Sequence, residues 1–464
     1  MLVEGMGLTD VDVLVSGGQV AGFCTPESRV EAGEVVDVTG LTVLPGAIDA
    51  HVHLGQDITV PREPVDVAAE SRAAAAGGVT TFLVYLMSAD PYERLFADVK
   101  ALMEAYSLVD FGFHFSISTE DQLAGVERYI TEFGVSSFKF FMNFRGDEGK
   151  YLNLPGNDDG FLFELLLRLA RAGGMLCPHP ENVELIWRQR RQPRHDNGPP
   201  LRLWNDSRPA FAEAEAVQRV AYLARVAGAP VYTVHISSRE ALDAALLQRR
   251  RGPVFIETCP HYLTHDVESY VGELGKVNPP LREPQDREAL WQAVAAGLVD
   301  AIGSDHVPRH KSKKAGGVWK ASAGFPGLET LLPVVISEGY HKRSIPLLRL
   351  VRMMSTNPAR LFGLYPRKGA VVPGAEADLA VVDLKKEVRI EGGALHSAAG
   401  YSIYEGWTVR CAVVHTLVRG AFVQRDGQLV EAPGGGRYQY RSMSGQILGQ
   451  ERGGDSHEAL GQRY

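Results

Sequence analysis

The 464-residue chain contains no hydrophobic run approaching the ~20 residues a membrane-spanning helix needs. Acidic residues at Glu4 and Asp10 and the lack of a long apolar segment near the start argue against a signal sequence, so a cytoplasmic location is expected. Cysteine is scarce. Cys24, Cys177, Cys259 and Cys411 are widely scattered and form no C-x-x-C pair, which excludes a disulfide framework and a thiolate zinc site and fits a reducing compartment. Excess positive charge is lacking too. The net charge is −8 with the two signs interspersed, so neither nucleic acid nor a membrane surface is an expected partner. No G-x-G-x-x-G follows the first strand-like run, and no P-loop lysine accompanies the glycine-rich turns. What remains, at 45% apolar and 22% charged residues, is the composition of a globular protein with a sizeable core and a small-molecule partner.

The chain reads as a β-rich start, a long alternating middle and a β-rich return. Near the start, Val11 to Val15, Val35 to Val38 and Leu41 to Leu44 are short runs separated by glycine turns, and they predict strands. Residues 377–432 repeat the pattern, with strand-like runs at 378–383 and 409–418 and a turn at Asp426-Gly427. Between them lie eight strand-like runs, around His51 and at 79–87, 111–117, 135–142, 174–179, 231–236, 253–258 and 299–304. Helix-forming stretches alternate with them, at 67–76, 161–172, 212–227 and 287–296 among others. The pattern predicts an α/β fold, a (β/α)8 TIM-like barrel over 48–364, with a smaller β-sandwich domain formed from both chain ends, 1–47 and 365–440. Residues 441–464, rich in glycine, glutamine, serine and charge, read as a C-terminal tail, and 190–208 as a long insertion between the fifth and sixth units.

In such a barrel chemistry sits at the carboxyl ends of the strands. His51 and His53 lie two apart in an apolar run after the Pro45-Gly46 turn, so a strand would point both rings to one side, as a metal site requires. Two core histidines would give the same spacing, and the other strand ends decide between the readings. They carry Lys139, His179, His235 and Asp305, which with His51 and His53 make a constellation of four imidazoles, an amine and a carboxylate directed at one axis. His114, His261, His265 and His306 also lie near strand ends and are read as supporting or surface groups.

Lys139 stands in Phe138-Lys139-Phe140-Phe141-Met142, a run expected to be buried on both sides. An unpaired buried ammonium is expensive, and cations nearby would repel it. Reaction of the amine with carbon dioxide would turn it into an anionic carbamate able to bridge two metals. A buried acid such as Glu257 could pair with the lysine instead.

PGAIDAHVHL (45–54), AAAAGGVTTF (73–82), SFKFFM (137–142), PHPEN (178–182), SRPAFAEAEAVQR (207–219), YTVHISS (232–238), ETCPHYL (257–263), GSDHVP (303–308), STNPARLFGLYPRKG (355–369) and GAEADLAVVD (374–383) run through nearly the whole length. In these motifs the chain resembles the cyclic amidohydrolases of the amidohydrolase superfamily, and most of all their hydantoinase and dihydropyrimidinase branch. The resemblance implies two divalent ions, usually zinc. His51, His53 and Asp305 would hold the more buried ion, His179 and His235 the more exposed one, and carboxylated Lys139 would bridge them with a hydroxide. It implies opening of the C–N bond of a cyclic amide or imide by that hydroxide, with Asp305 carrying the proton. It also implies a homodimer or homotetramer.

Several positions depart from that branch. The tyrosine expected five residues after the bridging lysine is Phe144, which cannot donate a hydrogen bond, so the metal alone, Asn143 or Tyr151 would have to hold the oxyanion. Asn278 and Ala323 stand where a serine and an asparagine usually hold the cyclic diamide through their backbone. KVNPPLR (276–282) and GFPGLETLLPV (324–334) are similar to dihydroorotases, yet Leu54-Gly55 replaces the arginine of that branch and its asparagine after the second strand is missing. Dihydroorotase and allantoinase therefore stay open as alternatives. Behind them stand a metallohydrolase for a non-cyclic amide or ester and a catalytically silent structural homologue.

Overall fold

The computed structural model describes residues 1–3, 7–28, 30–146, 148–191, 198–430 and 434–443. Its centre is a sheet of eight parallel strands among the described residues. They are β1 (Ala47–Val52), β2 (Val79–Leu86), β3 (Asp110–Ser116), β4 (Ser137–Phe141), β5 (Met175–His179), β6 (Val231–Thr233), β7 (Val254–Thr258) and β8 (Ala301–Ile302), paired in chain order. The residues after β8 complete the ring. His53 N donates to His306 O at 2.8 Å, and Val52 bridges His306 in parallel register. The expected (β/α)8 barrel is the observed one.

The helices predicted at 67–76, 161–172, 212–227 and 287–296 are present as Pro64–Ala76, Asp159–Ala172, Ala210–Ala227 and Pro284–Ala296. Each begins two or three residues early because of its first turn. Pro64 and Pro284 occupy starting positions where the missing N–H costs nothing, and Asp158 caps the second helix by accepting from Phe161 N at 3.0 Å. In that helix Leu162, Leu165, Leu166 and Leu169 recur at helical spacing and are fully buried, and Gly173 (φ 77°) ends it.

The second β unit draws on both ends of the chain. Thr42–Pro45 pairs antiparallel with Leu379–Arg389, followed by Thr408–Val418, Ala421–Arg425 and Gln428–Leu429. A hairpin of Asp12–Ser16 and Gln19–Cys24 packs against it through Val13, Val20 and Phe23 on Val43, Val371 and Leu379. Its turn, Gly17-Gly18, has both residues at positive φ, as a two-residue hairpin requires. Residues 35–38, expected as a strand from their valines, form none. Val35 is 83% exposed, and only Val38 turns toward the sandwich core.

The opposite end of the barrel from the strand carboxyl ends is closed by chain from the far terminus. Gln439 N donates to Phe111 O at 2.7 Å, and Arg441 N donates to Gly134 O at 2.9 Å. The buried Arg441 guanidinium donates to Ser137 Oγ at 3.0 Å and to Phe113 O. The tail expected from 441 thus has its first residues built into the barrel, and 444–464 lie outside the described residues. Nearby, Lys368 Nζ lies 2.6 Å from Asp110, 2.6 Å from Glu376 and 2.5 Å from Asp378, with all four groups largely buried. The three carboxylates are close enough to hold a cation, and the lysine already supplies one. Removing one partner of a buried ionic cluster leaves its charges uncompensated, so Lys368→Met should lower the unfolding free energy in a urea titration by about 3–5 kcal/mol.

Candidate active site

At the carboxyl end of the barrel, the six candidate metal ligands and four candidate substrate contacts line one pocket. His51, His53, Lys139, His179, His235 and Asp305 meet there with Asn143, Phe144, Asn278 and Ala323. His51 ends near the close of β1 and His53 follows it. Lys139 is on β4, His179 closes β5, His235 follows β6 and Asp305 follows β8. His235 (φ 43°) and Asp305 (φ 49°) both occupy the left-handed region, which costs a non-glycine residue about 1–3 kcal/mol and is tolerated where function demands a direction.

Two groups of donors form within the pocket. The ligating atoms of His51, His53 and Asp305 all lie within 4.8 Å of one another, with His51 Nε2 3.2 Å and His53 Nε2 3.6 Å from Asp305 Oδ1. Beside them, His235 Nε2 and His179 Nδ1 face each other at 3.0 Å. Burial holds all four imidazoles below their ordinary pKa, so they are neutral and keep a lone pair.

The outer nitrogens of two of them have acidic partners that set the tautomer. His51 Nδ1 bonds Glu257 Oε1 at 2.6 Å, and His179 Nε2 bonds Glu181 Oε2 at 2.6 Å. With Nδ1 donating outward, His51 Nε2 is left as an acceptor. It is fully buried, without a hydrogen-bond partner, and it faces another acceptor, Asp305 Oδ1. Two acceptors held this close call for a cation between them, so the residues fit a metal ion.

Glu181 is itself gripped by Arg208, whose Nε and Nη2 lie 2.9 and 2.5 Å from its two oxygens, and this holds its carboxyl well below the usual range. Glu257 also accepts from Tyr232 Oη at 2.8 Å and from His235 N at 2.9 Å. The sequence could have flagged Glu181, two positions beyond His179 on the same strand end. Nothing in it could connect Arg208, 27 residues further on. Because such outer partners typically account for 10–100-fold in metal affinity, Glu257→Gln should weaken binding of any divalent ion held by His51 by about that factor in a chelator competition.

Lys139 is 1% exposed and forms no salt bridge with a carboxylate among the described residues. Its Nζ sits over the Tyr85 ring at 4.7 Å and the Phe141 ring at 5.2 Å, and burial pushes its pKa down to about 8. The pairing with Glu257 considered from the sequence is therefore not made. That carboxylate is spent on His51, Tyr232 and the His235 main chain.

The opposite wall is apolar, made by Met87, Phe144, Leu152 and Leu154 with Ile58 and Phe141 packed against them. Phe144 stacks on Phe141 at 4.3 Å, and the buried Asn143 Oδ1 has no hydrogen-bond partner. The Tyr151 side chain lies outside the described residues. Of the remaining histidines, His114 bonds Ser137 Oγ and Ala50 O, His265 bonds Ile403 O, and His306 lies 2.9 Å from Glu70. These three and His261 are all buried, and none of the four lines the pocket.

The model of the amidohydrolase family matches residues 42–140 and 217–423. The L-hydantoinase of Paenarthrobacter aurescens is 32% identical over 449 residues, covering 94% of this chain and 96% of its own length. The D-phenylhydantoinase of Escherichia coli O1:K1 / APEC is 33% identical over 455 residues, with 94% and 96% covered. The solved structure of D-hydantoinase from a Bacillus sp. AR9 superposes with a TM-score of 0.85 at 32% identity, over 93% of this chain and 95% of that one.

Proposed function

The chain belongs to the amidohydrolase family, and from that premise we propose that it opens the C–N bond of a cyclic amide or imide of the hydantoin or dihydropyrimidine type. The observation that carries this is the convergence of His51, His53, Lys139, His179, His235 and Asp305 on one pocket, with the unpartnered His51 Nε2 facing Asp305 Oδ1. His51, His53 and Asp305 would hold one divalent ion and His179 and His235 a second, with N6-carboxylated Lys139 joining them. Imidazole and carboxylate donors suit zinc. When bound, such ions would supply polarisation of the substrate carbonyl and a lowered pKa for a bound water.

The chain's own groups do the rest. Asp305 takes the proton of the attacking water at its carboxylate and returns it to the departing ring nitrogen, which is a very poor leaving group as an anion. Burial raises its pKa, which suits a group that must hold a proton in transit. Asn278 and Ala323 line the pocket, and the main chain of neither has a hydrogen-bond partner among the described residues, so both can pair with the amide edge of the ring. Asn143 stands next to Phe144 and offers a side-chain amide for the carbonyl oxygen as negative charge builds on it. The apolar wall around Phe144 takes the ring's exocyclic substituent.

Among the described residues no arginine lines the pocket, and Lys139 is its sole lysine. That favours an uncharged ring over dihydroorotate, whose carboxylate needs a cation. A cytoplasmic homodimer or homotetramer completes the reading. No described helix is long and apolar enough to cross a membrane.

The test is ring opening by the zinc-loaded, bicarbonate-supplied protein across hydantoin, dihydrouracil, allantoin, dihydroorotate and simple lactams. Turnover of hydantoins or dihydrouracil ahead of the others is expected. Turnover of dihydroorotate or allantoin alone would transfer the protein to those branches. A protein that binds no metal and opens no ring would be a silent homologue.

A further inference from the structure

The pocket wall formed by 276–278 and 321–324 is held from behind by three buried side chains that the chemistry above does not use. Trp204, on the helix Pro200–Ser207 within the insertion between the fifth and sixth units, is 6% exposed. Its Nε1 donates to Val277 O at 3.0 Å and to Asn278 Oδ1 at 3.2 Å, so one N–H holds both residues that face the pocket from this segment.

Lys276 and Lys314 are 5% and 2% exposed, and neither forms a salt bridge among the described residues. Lys276 Nζ lies over the Trp204 ring, 3.9 Å from its centroid, and donates to Ala321 O at 2.6 Å. Lys314 Nζ donates to Lys276 O at 3.0 Å and to Ser322 O at 2.9 Å. Gly324 N adds a fourth tie, to Lys276 O at 2.9 Å. Burying two ammonium groups without a carboxylate is costly, and carbonyl oxygens with an indole face are what offset it. Each lysine ties 276 to 321 or 322, so together they set the separation between the two segments.

We propose that Trp204, Lys276 and Lys314 are positioning residues for the substrate-facing edge. They fix where the main chain of Asn278 and Ala323 sits relative to His51, His53 and Asp305, and thereby decide which rings fit. The substrate part of this inference rests on the cyclic-amide reading; the bracing itself does not.

Trp204→Phe removes one N–H and keeps an aromatic ring beside Lys276, and Lys314→Met removes both ties made by that lysine. The experiment measures both variants in the zinc-loaded protein by amide hydrogen exchange and by steady-state kinetics. Exchange should quicken about tenfold in the peptide spanning 276–278 in Trp204→Phe and in the peptide spanning 321–324 in Lys314→Met, with the strands β1 to β5 unchanged. KM for the best ring should rise about tenfold while kcat stays within about twofold and zinc content is unaltered. Unchanged exchange at 276–278 in Trp204→Phe and at 321–324 in Lys314→Met overturns the bracing. With quickened exchange, an unchanged KM, or a fall in kcat together with zinc content, overturns the positioning role. Should the unmodified protein open no ring, the cyclic-amide reading fails, and the exchange measurement still decides the bracing.

Discussion

Lys139→Met is expected to abolish binding of one of the two proposed zinc ions and to lower the proposed ring opening by about a thousandfold or more, because metal stabilisation of transition-state charge is a matter of several kcal/mol and each 1.36 kcal/mol is tenfold. Elemental analysis and turnover on the best ring provide the measurement. The same substitution should leave the metal-free protein as stable as before or more so, since an apolar side chain of similar size replaces an unpaired buried ammonium. That combination separates a lost ligand from a lost fold.

The pH dependence carries the same signature. The native amine has its pKa lowered from 10.5 to about 8 by burial, so between those values the unfolded chain holds the extra proton. Stability of the metal-free protein should therefore rise with pH across that window, and the rise due to this residue should vanish in Lys139→Met. Reconstitution with zinc in buffer stripped of carbon dioxide should restore little activity, and added bicarbonate should restore it.

Asp305→Asn removes a proton carrier and a charged metal ligand at once, so turnover should fall well beyond the roughly 10²–10⁴-fold attributable to acid–base catalysis alone. The carboxylate oxygen stands 3.2 Å from His51 Nε2 and 3.6 Å from His53 Nε2, and an amide in its place neutralises the one negative charge in that trio. Zinc content should fall with activity. The acid limb of the pH–rate profile assigned to this group should disappear from whatever activity remains. A variant that kept both ions and lost only tenfold would remove Asp305 from its assigned role.

The barrel was legible because its strands are buried on both faces and so appear as continuous apolar runs, interrupted only where a titratable residue is needed at the carboxyl end. Lys139 shows the rule most clearly: a charge among phenylalanines has no structural use, and it is found lining the pocket. The misreading at 35–38 has the opposite cause. Valine content suggested a strand, but Val35 is exposed and no partner strand lies alongside, so composition without pairing produced nothing. Trp204 and Arg208 were hidden for a third reason. They act on residues 73 positions ahead and 27 behind, and no periodicity connects such partners.

By itself the order of residues determined the alternation of strand and helix, the strand ends that carry chemistry, and the six side chains directed at one axis, because each of these follows from local periodicity and the cost of burying charge. Only the tertiary structure decided what those side chains face. It placed Glu257 on His51 rather than on Lys139, put Glu181 and Arg208 behind His179, and set Trp204 and two lysines behind the pocket wall. Hydrogen-bond partners depend on distances of a few ångströms between segments far apart in the chain, and those distances exist only once the barrel has closed.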